Sequence, residues 1–288
     1  MRIHEISSLR GPLSALEIPG PPGPPLVFSH ANGFNALTYL PLFERLRDRW
    51  TIWALDARGH GRSTLDADPH TLRDWNPYRD DLLAFLDHLD RPVYLAGHSL
   101  GSVVSLMAAD ARRHEILGQV MIEPVIFPQW LATPVDWLIR AGFRSRIPHI
   151  RQALARRRDF PDLQSALAAY QGRGAFKTWD PAFLAAYLEG GLRVHPSGDG
   201  LQLACDPLWE AATFAAPLAV GWAPLRRASQ PTLICHGSHG TTFPAASLRR
   251  AQRINPNVSF RHFEGGSHFI PMESAGELAE VMVAFLLS

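Results

Sequence analysis

Five short apolar runs and a sixth run of strand-like pattern, separated by stretches with helical spacing, constrain this chain more than any other feature of its sequence. The runs are Leu26–Phe28, Thr51–Leu55, Val93–Ala96, Gln119–Ile122, Pro231–Cys235 and Val258–Phe263. Between the first two, Leu40, Leu42, Phe43 and Leu46 recur at the spacing of one helical face. Asn76 is placed to cap a helix whose Leu82, Leu83, Phe85, Leu86 and Leu89 share a face, and Pro92 stops it before the third run. Further helices are expected over Ser99–Arg112 and Ser274–Leu287. A short run that is apolar at consecutive positions must be buried on both sides, and intervening helices are what cover a parallel sheet. An α/β fold with a mostly parallel central sheet is therefore expected.

The alternation lapses at Pro124 and resumes only after Arg227. Between them lie helical patterns, notably Pro181–Leu188 and Pro207–Phe214, and no strand-like run. Residues 1–123 and 229–288 are thus expected to build the sheet, and 124–228 a helical insertion over it. Five of the eight tryptophans (Trp130, Trp137, Trp179, Trp209 and Trp222) fall in that insertion. This is too many for surface decoration, so Trp130 and Trp137 are expected to wall a largely apolar substrate pocket between insertion and sheet.

Charge narrows the partners. A formal net charge of +1 removes the electrostatic case for nucleic acid or an anionic membrane surface, leaving a small molecule as the expected partner. The most apolar stretch, Ala211–Leu225, is interrupted by prolines and shorter than the roughly 20 residues a spanning helix needs. No secretory signal is visible, and Cys205 and Cys235 form no close pair; both fit a reducing cytoplasm. Oligomeric state is not legible.

The sharpest local feature is Gly97-His98-Ser99-Leu100-Gly101, set between a strand and a helix. A Gly-x-Ser-x-Gly match arises by chance in roughly one chain in ten of this composition, so its placement carries the meaning. A serine on a tight strand-to-helix turn is held with its hydroxyl above the sheet, and the flanking glycines let strand and helix approach. A serine hydroxyl needs a base. Of thirteen histidines, His268 is best placed, in the glycine-rich loop between the last strand and the last helix.

Together, Ser29-His30-Ala31-Asn32-Gly33-Phe34, Asp56-x-Arg58-Gly59-His60-Gly61-x-Ser63, the Ser99 turn and Gly266-Ser267-His268-Phe269 resemble the α/β-hydrolase superfamily, in order and at its separations. The resemblance implies an α/β-hydrolase fold, with the insertion in the place of that family's cap. It also implies an acid to orient the histidine, in most members an aspartate just after the seventh strand of the family sheet. Here that segment reads His236-Gly237-Ser238-His239-Gly240-Thr241-Thr242, with Gly240 where the aspartate would stand. Some members carry the acid after strand six instead, and Glu123 ends that run here. An unpaired carboxylate ending a buried strand is costly, which favours a partner for it. Ser99, Glu123 and His268 then follow in the order this fold uses.

The same resemblance points to the amides of Leu100 and Phe34 as oxyanion donors. Asn32 is either a turn former or a further donor, His30 and His98 are expected to bond within these loops, and Asp56, Arg58 and His60 to be structural. Cys235, His236 and His239 lack a further ligand at metal spacing, so no metal is expected, nor any cofactor. The seven arginines of Arg140–Arg158, without an acid among them, read as a solvated face. The expected activity is that of a serine carboxylesterase. The alternatives are carbon–carbon hydrolysis, thioester hydrolysis or perhydrolysis on the same triad, and a ligand-binding receptor that keeps the fold.

Overall fold

The computed structural model describes residues 1–288. In chain order the first part comprises β1 (Arg2–Ile6), β2 (Leu13–Ile18), β3 (Leu26–Ser29), α1 (Leu40–Leu46), β4 (Ile52–Asp56), α2 (Asn76–Leu89), β5 (Val93–His98), α3 (Leu100–Ala111) and β6 (Ile116–Ile122). The insertion carries α4 (Gln129–Arg140), α5 (Pro148–Leu154), β7 (Asp159–Phe160), α6 (Leu163–Tyr170), α7 (Pro181–Gly191), β8 (Leu192–Val194), β9 (Leu201–Leu203), α8 (Pro207–Phe214) and α9 (Trp222–Arg227). The chain then returns through β10 (Thr232–Gly237), α10 (Ala245–Ile254), β11 (Val258–Phe263), α11 (Ile270–Glu273) and α12 (Ala275–Leu286).

All six expected strands enter one eight-stranded sheet of order β1-β2-β4-β3-β5-β6-β10-β11. From β4 to β11 every pairing is parallel, and β1 and β2 add an antiparallel edge. Alternate residues divide between the faces, as strand geometry requires. Val27, Leu95, Met121 and Ile234 join the apolar layer under α2 and α3, whereas Leu26, Phe28, Val120 and Cys235 join the layer under α1 and α12.

The structure adds three things to the expectation. The β1–β2 hairpin had no signal as a continuous apolar run, because β1 is an edge strand exposed along most of its length. Asn76 opens α2 instead of capping it, and its amide donates to the Asp74 carboxylate at 2.8 Å. The insertion holds a small antiparallel sheet, β7-β9-β8, whose two- and three-residue strands are too short to leave a pattern.

The insertion sits on the loops that leave the carboxyl ends of the strands. Trp209 Nε1 donates to the Arg58 carbonyl at 2.9 Å, Trp75 Nε1 to that of Thr213 at 3.1 Å, and Asn35 Nδ2 to that of Tyr187 at 3.0 Å. No helix is long and apolar enough to cross a membrane.

Candidate active site

Strand order fixes where a site can form. The chain leaves β3 toward β4 on one side and returns to β5 on the other, so the loops after β3 and β5 diverge and open a crevice at the carboxyl ends. The loop after β3 is His30–Asn35, and the turn after β5 is centred on Ser99. Register brings a third residue to the same level: His98 lies opposite Ile122 and Ile122 opposite Cys235, so Glu123 emerges beside Ser99.

Only three residues other than glycine adopt positive φ, and two of them are Ser99 (58°) and Glu123 (48°). Such backbone costs about 1–3 kcal/mol per residue and persists only where its surroundings enforce it. At Ser99 the enforcement is visible. Its amide donates to the Ile122 carbonyl at 2.9 Å, and a Cβ on Gly97 or Gly101 would overlap backbone atoms of Gly101 or Ser29. At Glu123 the amide donates to the Cys235 carbonyl at 2.8 Å.

The three side chains meet. His268 Nε2 lies 3.1 Å from Ser99 Oγ, and His268 Nδ1 lies 3.2 Å from Glu123 Oε2. Ser99 is 7% exposed and Glu123 fully buried. The Glu123 carboxylate accepts from the Gly237 amide at 2.6 Å, the Thr241 hydroxyl at 2.9 Å and the Thr242 amide at 3.0 Å. Burial pushes its pKa up, but the hydrogen bond and charge of His268, with the donors from Gly237 and Thr241, outweigh that and hold it below the ordinary glutamate value. The segment in which the family's usual aspartate is missing thus supplies three donors to the carboxylate that stands in the other position. Thr242 Oγ1 also bonds the Glu123 carbonyl at 2.8 Å and lies 3.4 Å from His268 Nδ1.

Leu100 opens α3, so its amide has no acceptor within the helix. The Phe34 amide closes a turn on the Ala31 carbonyl at 3.2 Å. Asn32 donates its side-chain amide to the Glu210 carbonyl at 3.0 Å, and its Oδ1 lies 3.2 Å from His60 Nε2. Asp56 accepts from the amides of Ala36 and Arg62, both at 2.9 Å, and Arg58 pairs with Asp81 at 2.6 Å, which gives both a bracing role.

Trp130 and Trp137 do not stand where a pocket wall was expected. They are 70% and 65% exposed, because α4 turns Ala132 and Ile139 inward, and a two-residue offset on a helix is about 200° of rotation. The aromatic surroundings of the site come from elsewhere. Phe34 packs on Trp179 (5.2 Å between ring centroids), Tyr187 (5.8 Å) and Phe269 (6.3 Å). Arg156 also departs from its expected solvated face. It pairs with Glu210 at 2.6 Å and bonds the Tyr187 hydroxyl, while the other six arginines of the stretch are exposed.

A model of the alpha/beta hydrolase family matches residues 26–281. The chain belongs to that family. This hydrolase is 27% identical over 256 residues to 2-(acetamidomethylene)succinate hydrolase of Mesorhizobium japonicum, with 86% of this chain and 82% of that one covered. It is 26% identical over 274 residues to the pimeloyl-[acyl-carrier protein] methyl ester esterase of Xanthomonas oryzae pv. oryzae, covering 92% and 96%. Among solved structures, an E-2-(acetamidomethylene)succinate hydrolase superposes with a TM-score of 0.82 at 24% identity, over 100% of this chain and 99% of that one.

Sequence reasoning missed Thr241, Thr242 and Tyr39 as members of the site. The two threonines carried a signal, since they directly follow the position that lacks its acid. Tyr39 carried none, because only the folded chain brings it beneath His98.

Proposed function

We propose that this hydrolase cleaves carboxylic esters through an acyl-enzyme, with Ser99 as nucleophile, His268 as general base and acid, and Glu123 as the orienting carboxylate. The observation that carries this reading is the unbroken contact from Ser99 Oγ through both nitrogens of His268 to a buried Glu123. In acylation Ser99 Oγ bonds the carbonyl carbon while its proton passes to His268 Nε2. The oxyanion accepts from the Leu100 amide and from the Phe34 amide, which it shares with the Ala31 carbonyl. The intermediate collapses by expelling the alcohol, which takes the proton from His268. Water then attacks the acyl group, gives its proton to His268, and the carboxylic acid leaves as Ser99 is reprotonated. The insertion acts as the cap.

Phe34, Trp179 and Phe269 favour an apolar group beside the reacting carbonyl. Esterase chemistry is also the activity of the Xanthomonas relative. The test is turnover of p-nitrophenyl esters from acetate to decanoate. Saturable hydrolysis with a preference among acyl lengths is expected. No turnover of any of them, with tight retention of an apolar ligand, would favour a receptor over an esterase.

A further inference from the structure

Beneath the site runs a chain of hydrogen bonds that the proposed reaction does not use. The Ala31 amide donates to Tyr39 Oη at 3.1 Å, Tyr39 Oη lies 2.7 Å from His98 Nδ1, and His98 Nε2 lies 2.8 Å from the His268 carbonyl oxygen. Ala31, Tyr39 and His98 are 3%, 0% and 0% exposed. We infer that Tyr39 and His98 form a positioning relay that ties the loop bearing the Phe34 oxyanion donor to the loop bearing the base. This inference rests on the roles proposed above for Phe34 and His268.

Each link has a single polarity. A carbonyl oxygen only accepts, so His98 Nε2 carries a proton. Burial, then the neighbouring His268 charge, pushes the His98 pKa well below its usual value, so the ring is neutral and Nδ1 must accept. Tyr39 therefore donates its proton to His98 and takes the Ala31 amide on its oxygen. The three bonds run one way, from the loop after β3 through the Ser99 turn to the loop after β11.

Just before the base this loop is held by the Gly266 carbonyl, which accepts from the Ser238 amide at 2.8 Å, and by the Ser267 amide, which donates to Glu273 at 2.9 Å, whereas Glu123 orients the His268 ring without fixing its backbone. His98 holds that backbone at the residue itself. Its ring also packs at a tilt of 38° against the His268 ring, 4.9 Å between centroids, where a neutral neighbour is needed when His268 becomes imidazolium. An error of about 1 Å in a reacting group costs on the order of 10²-fold in rate.

The experiment compares Tyr39→Phe, His98→Gln and His98→Leu with the wild type in p-nitrophenyl acetate turnover and in thermal denaturation. It adds the imidazole ¹⁵N shifts of His98. Tyr39→Phe removes the donor to Nδ1 and frees His98 to change tautomer. Its kcat is expected to fall about 10- to 100-fold with KM within about threefold. His98→Gln keeps a donor for the His268 carbonyl and is expected to recover at least about tenfold over His98→Leu. A purely structural role would instead make kcat losses track the drop in Tm, with Gln no better than Leu.

The ¹⁵N shifts are expected to report an Nε2–H tautomer in the wild type. An Nδ1–H tautomer, or an unchanged kcat in Tyr39→Phe, would overturn the relay. Those outcomes are separable from failure of the esterase reading itself, which would appear as no ester turnover in the wild type; the tautomer reading tests the relay even then.

Discussion

Replacing Ser99 by alanine is expected to lower kcat/KM for ester hydrolysis by about four orders of magnitude or more, with little change in folding. The hydroxyl is the only group removed, and its oxygen is the atom 3.1 Å from the base. What remains are oxyanion donors and a bound substrate, which support only a residual rate above that of water. The fold has little to lose. The Ser99 amide keeps its bond to the Ile122 carbonyl, and alanine inherits the same backbone strain, so thermal unfolding should move by no more than about 1 kcal/mol. The measurement is the pair of kcat/KM values with a melting curve on the same preparations. A Ser99→Ala protein that is folded and hydrolyses esters at a tenth of the wild-type rate would mean that another group attacks.

Glu123→Gln is expected to cost about 10²- to 10⁴-fold in kcat, and unlike the serine variant it should also destabilise the protein. Glutamine presents an NH₂ where a carboxylate oxygen stood. Of the four donors that converge there (the Gly237 and Thr242 amides, the Thr241 hydroxyl and His268 Nδ1), at least one is left facing a donor. A buried polar group without a partner costs about 1–3 kcal/mol. Acidity supplies the control. Because the folded pKa of Glu123 is depressed, the stability its charge contributes is fully present above the unfolded value of about 4.3 and is lost as pH falls through the folded value. The destabilisation in Glu123→Gln, read from urea denaturation, should therefore be complete above about pH 5 and shrink at lower pH. Equal destabilisation across that range would show that the carboxylate charge is not what the four donors hold.

These two residues also show how far the site could be read before folding. Ser99 and His268 were legible because their backgrounds are unusual: glycines flank the one, and a glycine-rich loop in the right place carries the other. Glu123 was legible from the family resemblance, in which some members carry the acid after strand six, supported by the cost of an unpaired carboxylate ending a buried strand. Its threonine partners left only the signal of following Gly240, since they become donors to a carboxylate only when β10 lies beside β6. The inner strands were legible because they are buried on both faces and therefore almost continuously apolar, whereas the edge strand β11, exposed at Ser259, Arg261 and His262, was legible from Val258, Phe260 and Phe263. The edge strand β1 and the short strands of the insertion lack that property, and β2, though buried, is interrupted by Ser14 and Glu17. Trp130 and Trp137 were misplaced because composition counts tryptophans without saying which side of α4 they occupy; that depends on Ala132 and Ile139, small and branched side chains that fit the interior better.

The direct measurement is the mass of the intact protein after treatment with diisopropyl fluorophosphate, followed by peptide mapping. Ser99 Oγ should bond phosphorus as fluoride leaves, giving one diisopropylphosphoryl group per chain, located on Ser99. Ser99→Ala should gain none, and Glu123→Gln should react more slowly. An active protein that takes up no phosphoryl group, or takes it up at a residue other than Ser99, would contradict the account.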